Sequence, residues 1–114
     1  MTEERCDDQA SYATRTWQGY PVLSVGGEID ISNYNGFDNA LAAYPAGTRL
    51  IVDMGEVTFI DSTGLGTLAK HTKRIIQPGG EVRLVVRTSA VRRVLEVSGL
   101  DRYYVIAEAL EDLA

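Results

Sequence analysis

Leu50-Ile51-Val52 is a short, continuous apolar run with no alternation, the signature of a central strand buried on both faces. The chain beyond it repeats one pattern, a brief apolar segment and then a stretch of helical period. Residues 57–60 lead into a helix over 63–76. Leu65, Leu68, Ala69, Thr72, Ile75 and Ile76 form its inner stripe, and Thr67, Lys70, His71 and Arg74 face outward. A strand over 82–86 precedes a helix that Thr88 or Ser89 caps and that runs through Val97, with Val91, Val94 and Leu95 inward. A short strand near 104–106 and a last small helix over 107–113 complete the series. Such alternation restricts the chain to a mostly parallel sheet covered by helices.

The first part of the chain reads differently. Residues 11–17 and 20–29 are two strands joined by a tight turn at Gly19. Leu23, Val25 and Ile29 share a period-2 face, with Gly27 in register. Gly26-Gly27-Glu28-Ile29-Asp30 ends the second strand, where glycines let a backbone or ligand come close. Ser32 is placed to cap a first helix striped by Tyr34, Phe37, Leu41 and Tyr44 and stopped by Pro45. Asn33, Asn35 and Gly36 weaken its first turn. Asp53-Met54-Gly55-Glu56 reads as a turn after the central strand. The predicted fold is α/β: a mixed, mostly parallel five-stranded sheet with an N-terminal hairpin and four helices. Residues 1–10 are expected to be a disordered polar lead-in, and 11–114 a single domain.

Composition narrows the function. The net charge of −5 argues against polyanion binding, and Arg83, Arg87, Arg92 and Arg93 read as solvated charges rather than a nucleic-acid patch. There is no apolar run of about 18 residues to span a membrane and no signal-peptide core at the N-terminus. Cys6 is the one cysteine, which suits a reducing cytoplasm. His71 is the one histidine, so common zinc-ligand spacings are absent. His71 follows Ser62 by nine positions, roughly 13 Å along a helix, too far for a serine–histidine hydrogen bond. Asp53 with Asp61 is the remaining carboxylate pair for acid–base work, but no other catalytic group accompanies it. No enzymatic activity, cofactor or metal is expected.

The segment with the most chemical content is Phe59-Ile60-Asp61-Ser62-Thr63-Gly64-Leu65-Gly66. An apolar run ends in an acid, a hydroxyl follows, and a helix begins. Ser62 therefore stands at a helix N-cap, where unpaired N–H groups and the helix dipole favour negative charge. A hydroxyl there can cap the helix or carry a phosphate. Thr63 reads as a helix-start residue or a second such site. Asp61 fixes the turn, and Asp30 belongs to a turn or to a docking surface. Gly64 and Gly66 lack the lysine and spacing of a P-loop and read as points of close backbone approach.

Gly27-Glu28-Ile29-Asp30, Ile51-Val52-Asp53-Met54, Val57-Thr58 with the Phe59–Gly66 segment, and Val91-Arg92-Arg93-Val94-Leu95-Glu96-Val97-Ser98-Gly99-Leu100 together resemble the STAS domain. They look most like its small stand-alone bacterial members, the anti-sigma factor antagonists, over residues 12–113. The resemblance implies that Ser62 is phosphorylated by a partner kinase that is also the anti-sigma factor. It implies that the unphosphorylated form binds that kinase and frees the sigma factor, and that a metal-dependent serine phosphatase resets the system. Asp30, Asp61, Ser62, Thr63, Gly64 and Leu65 would form the partner-binding surface of a cytoplasmic monomer or weak dimer, with no direct nucleic-acid or membrane contact. The alternative reading on the same fold is a scaffold or sensor subunit of a larger stress-signalling assembly. A phospho-aspartate receiver, the enzymatic alternative, would not open with a hairpin and would need paired acids after its first strand.

Overall fold

A computed structural model describes residues 9–113 and the backbone of Glu4–Cys6. In chain order the elements are β1 (Glu4–Cys6), β2 (Ala10–Trp17), β3 (Tyr20–Ile29), α1 (Tyr34–Ala42), β4 (Arg49–Ile60), α2 (Ser62–Ile76), β5 (Glu81–Val85), α3 (Ser89–Ser98) and β6 (Val105–Ala107). The strands lie in one sheet in sequence order, antiparallel from β1 to β3 and parallel from β3 to β6. The five expected strands are present. Glu4–Cys6 adds a short edge strand within the segment expected to be a disordered lead-in; the rest of residues 1–8 lies outside the described residues. The helix count differs from expectation. Three α-helices form, and the fourth is replaced by β6 and a single 3₁₀ turn at Leu110–Leu113. Ala107 is drawn into β6 by pairing with Val85, leaving too few residues for an α-helix.

Leu50, Ile51 and Val52 are buried on both faces of the sheet, as a central strand requires. Leu50 and Val52 face the main core with Phe37, Leu41, Leu68, Ile75, Val91 and Leu95 of the helices. Ile51 faces the opposite side with Val22, Val85, Leu110 and Leu113. The turn expected at Asp53–Glu56 does not form. β4 runs through it, twelve residues long, with register shifts against β3. Asp53 Oδ1 accepts the Gly55 N–H (2.9 Å), so the polar residues make an irregularity within the strand instead of ending it. Gly27, at φ +89°, has the backbone of Gln9 against its Hα face, the close approach expected of it.

The α2 stripe is wider than periodicity suggested. Thr67 and His71 are buried, because α1 packs beside α2 and covers the flank assigned to solvent, whereas Ile76 is exposed. His71 joins the two helices. The donor-only guanidinium of Arg74 reaches His71 Nδ1 (3.0 and 3.2 Å), so Nε2 carries the hydrogen and donates to Asp38 Oδ1 at 2.8 Å. Lys70 Nζ reaches the same Asp38 oxygen at 2.6 Å. Lys70 first, then His71, holds the Asp38 carboxyl below its ordinary value of 3.8. A lowered carboxyl stabilises the fold above its unfolded pKa and loses that contribution as pH falls through the folded value. Asp38→Asn should therefore lower the thermal midpoint near neutrality, and the gap from wild type should close as pH drops below about 3.8, measured by melts across pH 3–7.

Candidate functional site

The site lies at the carboxyl ends of β3 and β4, where ligands and partners of open parallel sheets generally bind. Ile29 and Ile60 are register partners, so Asp30 and Asp61 leave adjacent strands side by side. The Asp61 N–H donates to the Ile29 carbonyl at 3.1 Å, which carries the pairing one residue past the strand. Asp61 is consequently extended, and its side chain caps α2. Oδ1 accepts the Gly64 N–H (3.0 Å) and Oδ2 the Ile31 N–H (3.1 Å). This corrects the sequence expectation: the cap is Asp61, and Ser62 is the first helical residue. Ser62 is exposed, and its hydroxyl is relieved of capping.

Gly64 lets the helix start this close to the sheet. A Cβ there would lie 2.6 Å from Ile60 Cγ1 and 3.0 Å from Ile29 Cγ2, both on buried side chains. Gly66 differs from expectation, since a Cβ on it meets nothing within 4 Å. Asp30 is a turn residue. Its Oδ1 accepts the Ser32 N–H (2.8 Å) and hydroxyl (2.5 Å), and the Ser32 hydroxyl above all holds this carboxyl below its ordinary value. Ser32 is therefore occupied, and α1 begins after Asn33 without a side-chain cap, because Asn33 turns back to the Glu28 carbonyl (2.8 Å).

Beside Ser62 runs an apolar groove between the end of β4, the start of α2 and the outer face of α3, lined by Phe59, Leu65, Ala90, Val94 and Val97, with Arg93 among them. Phe59 is 47% exposed and Val97 78%, and Ile31 on the neighbouring loop is 72% exposed. Sequence reasoning missed all three. Ile31, an apolar residue between Asp30 and Ser32 in a polar turn, carried the available signal. Of the six predicted docking residues, Ser62 is exposed and Asp30, Asp61 and Thr63 are half-buried. Gly64 and Leu65 are buried, and Leu65 forms part of the groove wall.

The other candidates lie apart. Asp53 is paired with Arg15 (2.8 Å) and does not meet Asp61, whose oxygens are held by Gly64 and Ile31. The arginines are dispersed. Arg83 Nη1 binds the Leu113 carbonyl (2.9 Å), Arg87 Nε the Glu108 carbonyl (3.0 Å), and Arg92 and Arg93 are on α3. Among the described residues, no three His, Cys, Asp or Glu side chains converge as metal ligands, and no helix is long and apolar enough to cross a membrane.

The family model for the STAS domain matches residues 11–113. The chain belongs to the STAS domain family. Among curated relatives, this STAS domain is 32% identical over 107 residues to the anti-sigma-F factor antagonist RsfB of Mycobacterium tuberculosis, covering 92% of this chain and 87% of that one. It is 28% identical to the anti-sigma-B factor antagonist of Staphylococcus aureus, over 86% and 93% of the two chains. In structure it matches an anti-sigma factor antagonist from Mycobacterium paratuberculosis with a TM-score of 0.82 at 29% identity, over 94% and 92% of the chains. The unphosphorylated form of the anti-sigma factor antagonist SpoIIAA matches with a TM-score of 0.67 at 19% identity, over 90% and 91%, a likeness of fold.

Proposed function

We propose that this STAS domain is an anti-sigma factor antagonist whose binding is switched off by phosphorylation of Ser62. The observation that carries the reading is an exposed serine hydroxyl, freed of capping by Asp61, at the rim of an apolar groove. The family relationship and the names of its relatives support the choice of partner. The unphosphorylated domain docks Ile31, Phe59 and the groove beside Ser62 onto an anti-sigma factor with serine kinase activity, and the sigma factor is released. The kinase transfers the γ-phosphoryl group of ATP to Ser62 Oγ; the hydroxyl proton departs and ADP leaves. A metal-dependent serine phosphatase hydrolyses the ester and restores the hydroxyl. The domain itself catalyses nothing and works in the cytoplasm with these partners.

One phosphoryl group is sufficient on energetic grounds. It brings about −1.5 to −2 charges at neutral pH. The first turn of α2 tolerates that charge in the free domain. In a docked complex the dianion would be desolvated beside Asp30 and Asp61, and an uncompensated like-charge contact costs several kcal/mol. Incubation with the cognate kinase and ATP should add one phosphate, mapped to Ser62. A label that maps elsewhere, or persists in Ser62→Ala, would overturn the proposal.

A further inference from the structure

Arg93 lines the groove, and Arg83, Arg87 and Arg92 do not. It projects from α3 into the wall shared with Ser62, Phe59 and Val97. Among the described residues its guanidinium has no hydrogen bond or ion pair, whereas Arg83 and Arg87 are both tied to backbone carbonyls and carboxylates. Arg93 is an exposed cation on an apolar wall, in a domain whose net charge is −5. No acid among the groove residues forms an ion pair with it. Asp61, the acid that lines the groove with it, spends its two oxygens on the N–H groups of Gly64 and Ile31.

A phosphoryl group on Ser62 would be the strongest acceptor in reach. An arginine matches its oxygens with two parallel N–H donors. The arginine stem is long and apolar and can lie along hydrophobic surface while its head is paired. We propose that Arg93 is the internal partner of phosphorylated Ser62: its guanidinium crosses the groove to the phosphate, and its stem covers Phe59 and Val97. This deepens the proposed phosphoswitch and rests on it. Phosphorylation then acts twice, placing charge at the docking surface and covering the apolar wall. The pairing also gives the free phosphorylated domain a neutralising contact that a docked partner must break.

The test uses the full chain with phosphoserine installed co-translationally at position 62, so that no kinase is needed. Phosphorus NMR at low salt follows the second ionisation of the phosphate, ordinarily near 6. A guanidinium in contact favours the dianion, so wild type should titrate lower than Arg93→Gln by about 0.5–1 unit. Arg93→Lys should recover part of the difference, Arg92→Gln should match wild type, and about 1 M salt should erase it. A soluble paramagnetic probe should relax the Val97 methyls less in the phosphorylated wild type than in phosphorylated Arg93→Gln. Equal titration of Arg93→Gln and wild type, an equal effect of Arg92→Gln, or unchanged Val97 relaxation overturns the inference. Failure of the phosphoswitch itself would be seen separately, in the kinase labelling of Ser62.

Discussion

Ser62→Asp should weaken binding to the cognate anti-sigma kinase by about a hundredfold or more, while Ser62→Ala should bind as wild type does. A hundredfold is roughly 2.8 kcal/mol, within the several kcal/mol of an uncompensated charge desolvated next to like charges. Asp30 and Asp61 supply those like charges, and neither is offset by a cation in an ion pair among the described residues. The folded domain responds differently. The Asp61 carboxylate, not the Ser62 hydroxyl, caps α2, so Ser62→Ala removes no cap and should change stability by no more than about 0.5 kcal/mol. A carboxylate at the first helical position suits the dipole, so Ser62→Asp should gain about 0.3–1 kcal/mol. The aspartate variant should thus be the more stable of the two and the poorer binder. Thermal midpoints and titration calorimetry with the kinase, nucleotide present, measure both quantities. If affinity rises and falls with stability, charge at Ser62 is not what governs docking, and the switch fails for this chain.

The second large effect is a contrast between glycines two positions apart. Gly64→Ala puts a methyl group 2.6 Å from Ile60 Cγ1 and 3.0 Å from Ile29 Cγ2, where both side chains are buried and the strands behind them are paired. Overpacking of this kind costs about 1–3 kcal/mol, more than the roughly 1 kcal/mol that alanine gains over glycine in a helix. The relaxation open to the structure is to lift the first turn of α2, which also lifts Asp61 off the Gly64 and Ile31 N–H groups. Gly64→Ala should therefore lower both stability and partner affinity. Gly66→Ala meets open space and should stabilise the domain by about 0.5–1 kcal/mol. Denaturant melts of the two variants should move in opposite directions from wild type. Two shifts of the same sign would mean that α2 does not start against Ile29 and Ile60 as described.

Much of this architecture was legible from hydrophobic pattern. The unbroken run at 50–52 and the alternation after it specified a buried central strand and a parallel sheet. The last element was misread because 107–113 has a helical pattern but loses Ala107 to strand pairing, an interaction between residues far apart in sequence. The Asp53–Glu56 segment was misread for a related reason. Its composition favours a turn, but the ladder to β3 continues past it once a bulge absorbs the irregularity.

The sequence by itself determined the fold class, the junction of β4 with α2, and the serine that stands there, because each follows from local period and residue type. Tertiary structure decided which side chain caps the helix and what surrounds the serine. Strand pairing carried one residue beyond β4 made Asp61 the cap and left the Ser62 hydroxyl free. The packing of α3 beside the β4–α2 junction brought Phe59, Arg93 and Val97 to its edge, although the rest of α2 and the whole of β5 separate Ser62 from the helix that carries Val97. Capping depends on backbone conformation, and a groove on the distance between elements. Neither is encoded in a single segment; both are set only when the sheet and its helices pack together.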